Sequence, residues 1–486
     1  MSKRPSIVFL IADDHRYEAL GSSGNPIVRT PVLDELAAGG AAMQGTHIFG
    51  GLTGAVCAPS RACVLTGQSI FRSMIGCDPA EWTHSTDIRP DVPLLPECLR
   101  DAGYQTYAVG KWHNDKASFA RSFEGGDKLF FYGMSDHWHV PVQSFDPEGK
   151  YGKEREYVET RHSSEVFADA AIDFLERQDG EQPFFLYVAF TAPHDPRTAP
   201  EPYASMFKPE ELSMPPNFAE EHPFDNGDLG VRDERLASMP RREEEIKRHL
   251  ADYYAMIAHL DAQVGRIVDY LKAKGLYDDT LLVYTADHGL SIGQHGLMGK
   301  QNVYDHSVRI PLLLRGPGVE AGAKPPGLLS NIDIAPTVAE LAGLPEQPNV
   351  DGVSFAGLLR GAGGSAGGVD VKTSASASAG AGANEPLPLR THVCTAYQDL
   401  QRMVKDRRWK LIRYYRSPAS GAGIDRIQLF DMEADPWETR DVSGKTANRK
   451  ELERLAQLLQ TWMDRHDDIL RHVPILGPTI PGGDSV

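Results

Sequence analysis

Four short runs in this chain read as strands, three of them apolar almost without interruption. They are IVFLIA at 7–12, QTYAV at 105–109, FFLYVAF at 184–190 and LLVYTA at 281–286. A strand that is apolar on both faces must be covered on both faces, which is the environment of a parallel sheet. Helical stretches at 94–102, 164–177 and 243–274 precede the last three runs. A further helix is predicted between Thr30 as its cap, Pro31 at its first position and Gly39 at its end. The pattern predicts an α/β fold with a large, mainly parallel sheet covered by helices on both faces.

Residues 361–384 are almost entirely Gly, Ala and Ser and read as a flexible insertion or linker. They separate a large domain over 1–360 from a C-terminal α+β subdomain over 385–486. In the latter, 402–414 and 426–430 read as antiparallel strands and 450–467 as an amphipathic helix. A chain of 486 residues with 41% hydrophobic content can bury such a core. Its formal net charge of −17 argues against nucleic acid as a partner. It also means that an anionic substrate must be drawn in by a local cluster of positive groups. The apolar run at 7–12 is too short for a signal-peptide core, and no stretch approaches the roughly 20 apolar residues of a membrane span. The expectation is a cytoplasmic protein without a membrane partner. Five cysteines, Cys57, Cys63, Cys77, Cys98 and Cys394, do not suggest a disulfide framework.

The residues just after the four strands share a chemistry. Asp13 and Asp14 come after the first, Lys111 and His113 after the second, His194 after the third, Asp287 and His288 after the fourth. In an open parallel sheet, ligands bind outside the carboxyl ends of the strands. The sequence therefore gathers metal-type ligands and basic groups on one sheet edge. Asp13, Asp14 and Asp287 offer carboxylate oxygens to a hard divalent cation such as Ca²⁺ or Mg²⁺. His288 adds an imidazole and leaves the metal's identity open. Zinc is less favoured, since no Cys or His cluster has its ligand spacing.

The segment CAPSRACVLTG at 57–67 predicts a helix starting near Ser60, with Pro59 in its first turn and Thr66-Gly67 at its end. Cys57 then lies just before a helix N-terminus, with Arg61 within reach. Taken alone, such a cysteine is either a buried small residue or a low-pKa thiolate.

CAPSRACVLTG resembles the signature of the sulfatase family: Cys or Ser, any residue, Pro-Ser-Arg, then Leu-Thr-Gly. Other segments are similar to that family in the same order. They are VGKWHND at 109–115, APHDP at 192–196, TADHG at 285–289, GQHGLMGK at 293–300, NIDIAPTVAELAGL at 331–344 and QLFDMEADPWE at 428–438. The resemblance implies an alkaline phosphatase-like catalytic domain over 1–360 in which Cys57 is oxidised to formylglycine by a maturation enzyme. It implies a divalent cation, usually Ca²⁺, held by Asp13, Asp14, residue 57, Asp287 and His288, where many relatives carry Asn in place of His288. It further implies that Arg61 and Lys111 hold the hydrated aldehyde, that His113 removes its proton, and that His194 and Lys300 bind the sulfate. A geminal diol has an advantage over serine, because its sulfated intermediate collapses by C–O cleavage.

Beyond these, His137, His139, Asn114 and Asp115 are candidates for a substrate pocket. His295 reads as a structural support for the loop carrying Lys300, His306 and Arg309 as supporting groups, and Cys63 as packing. The expected substrate is a sulfate monoester, from a small molecule or a sulfated saccharide. A phosphonate monoester or phosphodiester hydrolase is the alternative within the superfamily. A non-catalytic binding protein that kept the fold is the third reading.

Overall fold

Ser6–Ala12 (β1) is fully buried from Ile7 onward, so its continuous apolar run has a physical reason. Six strands join it: Ala41–Met43 (β2), Gln105–Lys111 (β3), Gly125–Phe130 (β4), Phe184–Ala189 (β5), Thr280–Ala286 (β6) and Leu312–Arg315 (β7). The sheet order is β2-β7-β6-β1-β5-β3-β4. The strands from β6 to β4 run parallel, and β7 is antiparallel to both β6 and β2. The expected fold class, an α/β architecture on a mainly parallel sheet, is what this computed structural model contains. It describes residues 4–76, 85–325, 327–347, 349–360 and 389–476.

The two-residue period of β1 divides the core. Val8, Leu10 and Ala12 pack with the helices Ser163–Glu176 and Glu243–Ala273. Ile7, Phe9 and Ile11 pack with Cys57–Thr66, Leu95–Asp101 and Ile334–Leu341 on the other face. Each Val, Leu, Ile or Phe among them contributes about 1.5–3 kcal/mol when fully buried. No helix among the described residues is long and apolar enough to cross a membrane.

Three local expectations differ from the structure. The helix expected near Ser60 begins at Cys57, because Val56 C=O already accepts the Ser60 N–H at 3.1 Å. Pro59 is tolerated there since a first-turn N–H has no helical acceptor. Thr30 does not cap Pro31–Ala38 with its side chain. The cap comes from Asp261 on the long helix, whose carboxylate accepts the Val32 and Leu33 N–H groups at 3.1 and 2.8 Å. Residues 402–414 are two strands, Gln401–Lys405 and Trp409–Tyr414, joined by a tight turn.

Those two strands belong to a second sheet with Val393–Tyr397 and Arg426–Asp431, all antiparallel. A fifth strand, Gly50–Gly51, pairs in parallel with Val393–Tyr397, so chain from both sides of 361–384 shares one sheet. The tract 361–384 itself lies outside the described residues. The helix Arg449–Arg465 covers this sheet through Leu452, Leu455, Leu459 and Met463. From the small sheet, Gln401 Nε2 donates to Gln301 C=O at 3.3 Å, and Gln428 Oε1 accepts Tyr304 O–H at 2.8 Å. The C-terminal unit thereby backs the loop that carries Lys300.

Candidate active site

The carboxyl ends of β1, β3, β5 and β6 converge on the N-terminus of the helix Cys57–Thr66. Asp13 and Asp287, the residues after β1 and β6, are linked through Asp287 N–H to Ala12 C=O at 3.1 Å. Ser60 Oγ donates to Asp287 C=O and receives a hydrogen bond from Asn331 Nδ2 at 3.0 Å. Asn114 Nδ2 donates to Ala58 C=O at 3.0 Å. The first turn of the helix is thus pinned to the sheet edge from two sides.

β3 delivers its residues through a bulge. Its pairing with β4 shifts register between Val109 and Gly110. Gly110 has φ +87°, and a Cβ there would stand 2.1 Å from Ala189 C=O. Only glycine fits, and the bulge re-aims Lys111 toward the edge. Lys111 Nζ bonds to the Asp13 carboxylate and to Gly133 C=O at 2.5 Å. Asp14 and His113 hold left-handed φ angles of +69° and +65°. Strain of about 1–3 kcal/mol at each is typical of functional positions.

Cys57 is 2% exposed and sits at the centre. Its Sγ lies 3.1 Å from His288 Nε2 and 3.4 Å from Lys300 Nζ. Arg61, fully buried, donates from Nε to Asp287 Oδ2 at 3.0 Å and from Nη1 to Lys111 C=O at 3.1 Å. Lys300 Nζ bonds Asp14 Oδ1 at 2.9 Å. His194 Nδ1–H donates to Asp195 C=O at 2.7 Å, which directs Nε2 toward Asp14 Oδ2 at 3.9 Å. Ligand atoms of Asp13, Cys57, Asp287 and His288 all lie within 4.8 Å of one another, and those of Asp13, Asp14 and His194 form a second such group.

Burial alone would raise the carboxyl pKa values, yet the surrounding cations pull Asp13, Asp14 and Asp287 below the usual range. Burial likewise opposes ionisation of Cys57, and Lys300, Lys111 and His288 overcome it and lower its pKa. For His288, burial lowers the pKa, but Asp287, Cys57 and Asp14 raise it to about 9. His113 is held well below the normal imidazole value by burial and Lys111, and its Nδ1 is buried without a partner. The ring is therefore held neutral, with one nitrogen uncommitted. The three carboxylates face Arg61, Lys111, Lys300 and His288, so the site carries no excess of negative charge, which suits an anionic ester.

The remaining candidates separate. His137 is buried behind His194, its Nε2–H donating to His194 C=O at 2.9 Å, so it positions rather than lines the site. Asn114 fixes the helix start, and Asp115 caps Lys116–Ser122 by accepting Ser118 N–H at 2.7 Å. His139 is exposed beside Asp136. His295 stacks on Tyr304 at 3.9 Å between ring centroids, and His306 bonds Ser291 Oγ at 2.7 Å. Arg309 lies over the Tyr17 ring, and Cys63 packs in the core. Sequence reasoning missed Ser60, Asn331, Gly133 and Tyr253, whose hydroxyl donates to Asp14 C=O at 2.7 Å. Ser60 and Asn331 stood inside quoted motifs. Tyr253, within a regular helix, carried no local signal.

A family model described as Sulfatase matches residues 5–344. Among curated proteins, the chain is 27% identical to an N-acetylglucosamine-6-O-sulfatase of Bacteroides thetaiotaomicron, covering 96% of this chain and 88% of that protein. It is 26% identical to a choline-sulfatase of Rhizobium meliloti, over 90% and 82% of the two chains. Among solved structures, it shares its fold with a protein in complex with its substrate D-glucosamine-2-N,6-O-disulfate, at TM-score 0.77, 23% identity and 98% and 100% coverage. It also shares it with the phosphonate monoester hydrolase of Agrobacterium radiobacter, at TM-score 0.72, 22% identity and 95% and 96% coverage.

Proposed function

Because this chain belongs to the sulfatase family and is a sulfuric ester hydrolase, we propose that Cys57 is the precursor of its formylglycine nucleophile and that the substrate is a sulfated saccharide. The observation that carries the reading is the setting of Cys57 Sγ, in contact with Lys300 Nζ and His288 Nε2 at a strand-end cluster of carboxylates. Sγ marks where an aldehyde-derived oxygen would stand.

We further assign a divalent cation, calcium by preference, to Asp13, Asp14, Asp287, His288 and residue 57. The residues fit such an ion. Asp13 Oδ1 is buried with no hydrogen-bond partner, and carboxylate oxygens dominate the donor set. When bound, the cation would withdraw charge from the ester and from a hydroxyl at residue 57.

The chain's own groups would do the rest. Lys300 and His194 receive the sulfate oxygens; one hydroxyl of the hydrated residue 57 loses its proton and bonds to sulfur as the ester S–O bond breaks, and the protonated partner of Lys300 and His194 passes a proton to the departing alcohol oxygen. Arg61 and Lys111, each anchored by a carboxylate and a carbonyl, hold the hydrated residue 57 in place. His113 then accepts a proton from the second hydroxyl of that residue, and sulfate leaves as the C–O bond breaks. The saccharide assignment is supported by the N-acetylglucosamine-6-O-sulfatase relative. Formation of the formylglycine requires a maturation enzyme as a partner.

Parallel kinetics on 4-nitrophenyl sulfate and a 4-nitrophenyl phosphonate monoester, with matured enzyme, test the reading. The expected kcat/KM favours the sulfate by roughly tenfold or more. A preference of that size for the phosphonate would overturn it.

A further inference from the structure

The two residues proposed to receive sulfate stand on separate loops. His194 follows β5 and Lys300 follows β6, and β1 lies between those strands in the sheet. Consecutive charged residues from a third segment join the two loops. Arg232 donates to both carboxylate oxygens of Asp195, to Oδ1 at 2.8 Å. Asp195 is the neighbour of His194, and its C=O accepts the His194 Nδ1–H at 2.7 Å. Arg232 Nη1 also donates to Asp233 Oδ1 at 3.1 Å. The other oxygen of Asp233 accepts Gln301 Nε2 at 2.8 Å, while Gln301 Oε1 accepts the backbone N–H of Lys300 at 2.9 Å. The same Gln301 amide donates to Gly54 C=O at 3.2 Å, three residues before Cys57. Glu234 adds an anchor: its carboxylate accepts the N–H groups of Met298 and Gly299 at 3.0 and 3.2 Å. Buried Arg241 pairs with Glu234 and donates from Nε to Gly296 C=O at 3.0 Å. Asp233–Leu236 is a turn of 3-10 helix that starts from Arg232 in helical geometry, so these side chains leave the backbone at regular offsets.

We propose that Arg232 and Asp233 are positioning residues that set the spacing of His194 against Lys300, and with it the delivery of a proton to the departing alcohol oxygen. The proposal rests on the roles of His194 and Lys300 given above. Arg232 ends on the residue beside His194, and Asp233 on the residue beside Lys300. Arg232 also keeps a competitor occupied. Asp195 Oδ1 lies 3.4 Å from His194 Nδ1. A carboxylate accepts more strongly than a carbonyl, so an unpaired Asp195 side chain would take that N–H from Asp195 C=O and turn the ring. On the other loop, without Asp233 the Gln301 amide would be held by Gly54 C=O alone, and the Lys300 backbone would lose its brace. Displacing a reacting group by about 1 Å can cost on the order of 10²-fold in rate. The Arg232 side chain is 46% exposed, so its truncation leaves the core intact.

The test uses two aryl sulfates on matured enzyme, 4-nitrophenyl sulfate and phenyl sulfate. Phenolate is the more basic leaving group and depends more on a proton donor. The readout is the ratio of kcat/KM between the two esters, because a loss of folding or maturation cancels in it. In Arg232→Ala and in Asp233→Ala, kcat/KM for phenyl sulfate is expected to fall about tenfold or more, and that for 4-nitrophenyl sulfate about threefold or less. Arg232→Lys should restore part of the ratio, since an ammonium still pairs with Asp195. Equal losses for the two esters, or no loss, in either alanine variant overturn the proposal. His194→Ala and Lys300→Ala are the controls. If neither shifts the ratio, the proton-donor role of those two residues fails, and this proposal with it. If one of them does and the Arg232 and Asp233 variants do not, this proposal fails alone.

Discussion

Cys57→Ala is expected to lower kcat/KM for any sulfate ester on the order of 10⁴-fold or more, because it removes the proposed nucleophile. The fold should survive. Cys57 contributes one buried thiol at a helix start whose backbone hydrogen bonds do not involve its side chain. Cys57→Ser separates the formylglycine account from a simpler one. A serine hydroxyl can attack sulfur once, but it has no second hydroxyl from which to expel sulfate. The expected result is a stoichiometric burst at most, followed by a sulfated and inactive enzyme, seen as a mass gain on the peptide 57–67. Steady turnover by purified Cys57→Ser would contradict the account.

The second large effect is on stability. Arg402 and Asp468 are both fully buried. Arg402 donates from Nε to Asp468 Oδ2 at 2.5 Å and from Nη2 to Oδ1 at 2.8 Å, while Nη1 reaches Gln398 C=O at 2.7 Å. The pair ties the small sheet to the segment after the helix Arg449–Arg465. Arg402→Ala leaves a buried carboxylate without its partner, and the expected loss is about 3–5 kcal/mol, read by chemical denaturation. Replacing both with apolar residues, Arg402→Met with Asp468→Leu, should cost far less, because neither charge is then stranded. A single-mutant loss below about 1 kcal/mol would show that water reaches the site after truncation. Since Gln401, the next residue, supports the loop of Lys300, Arg402→Ala should also weaken activity.

Much of the candidate site was legible because it depends on short-range order. An apolar strand followed at once by Asp13 and Asp14, or by Asp287 and His288, places those residues at a carboxyl end whatever the rest of the chain does. Arg61 follows Cys57 by one helical turn, so one motif supplies both. The features that escaped depend on partners distant in sequence. Asp261 caps a helix more than two hundred residues earlier, and no periodicity marks it. Gly50–Gly51 is too short to read as a strand and exists because Val393–Tyr397 offers it an edge. Arg232 and Asp233 look like any charged loop pair until their partners beside His194 and Lys300 are found. The helix start was misplaced for a local reason: Pro59 suits a first turn, but the sequence does not say at which of that turn's positions.

In the proposed mechanism a cation and a ring of positive side chains meet around residue 57. The most direct measurement is the calcium content per chain of matured protein, stripped with chelator, reloaded and dialysed, for wild type, Asp13→Ala and Asp287→Ala. One tightly held ion is predicted in the wild type and almost none in either variant, since each removes oxygen donors from the same site. Full retention of the ion by both variants would contradict that site.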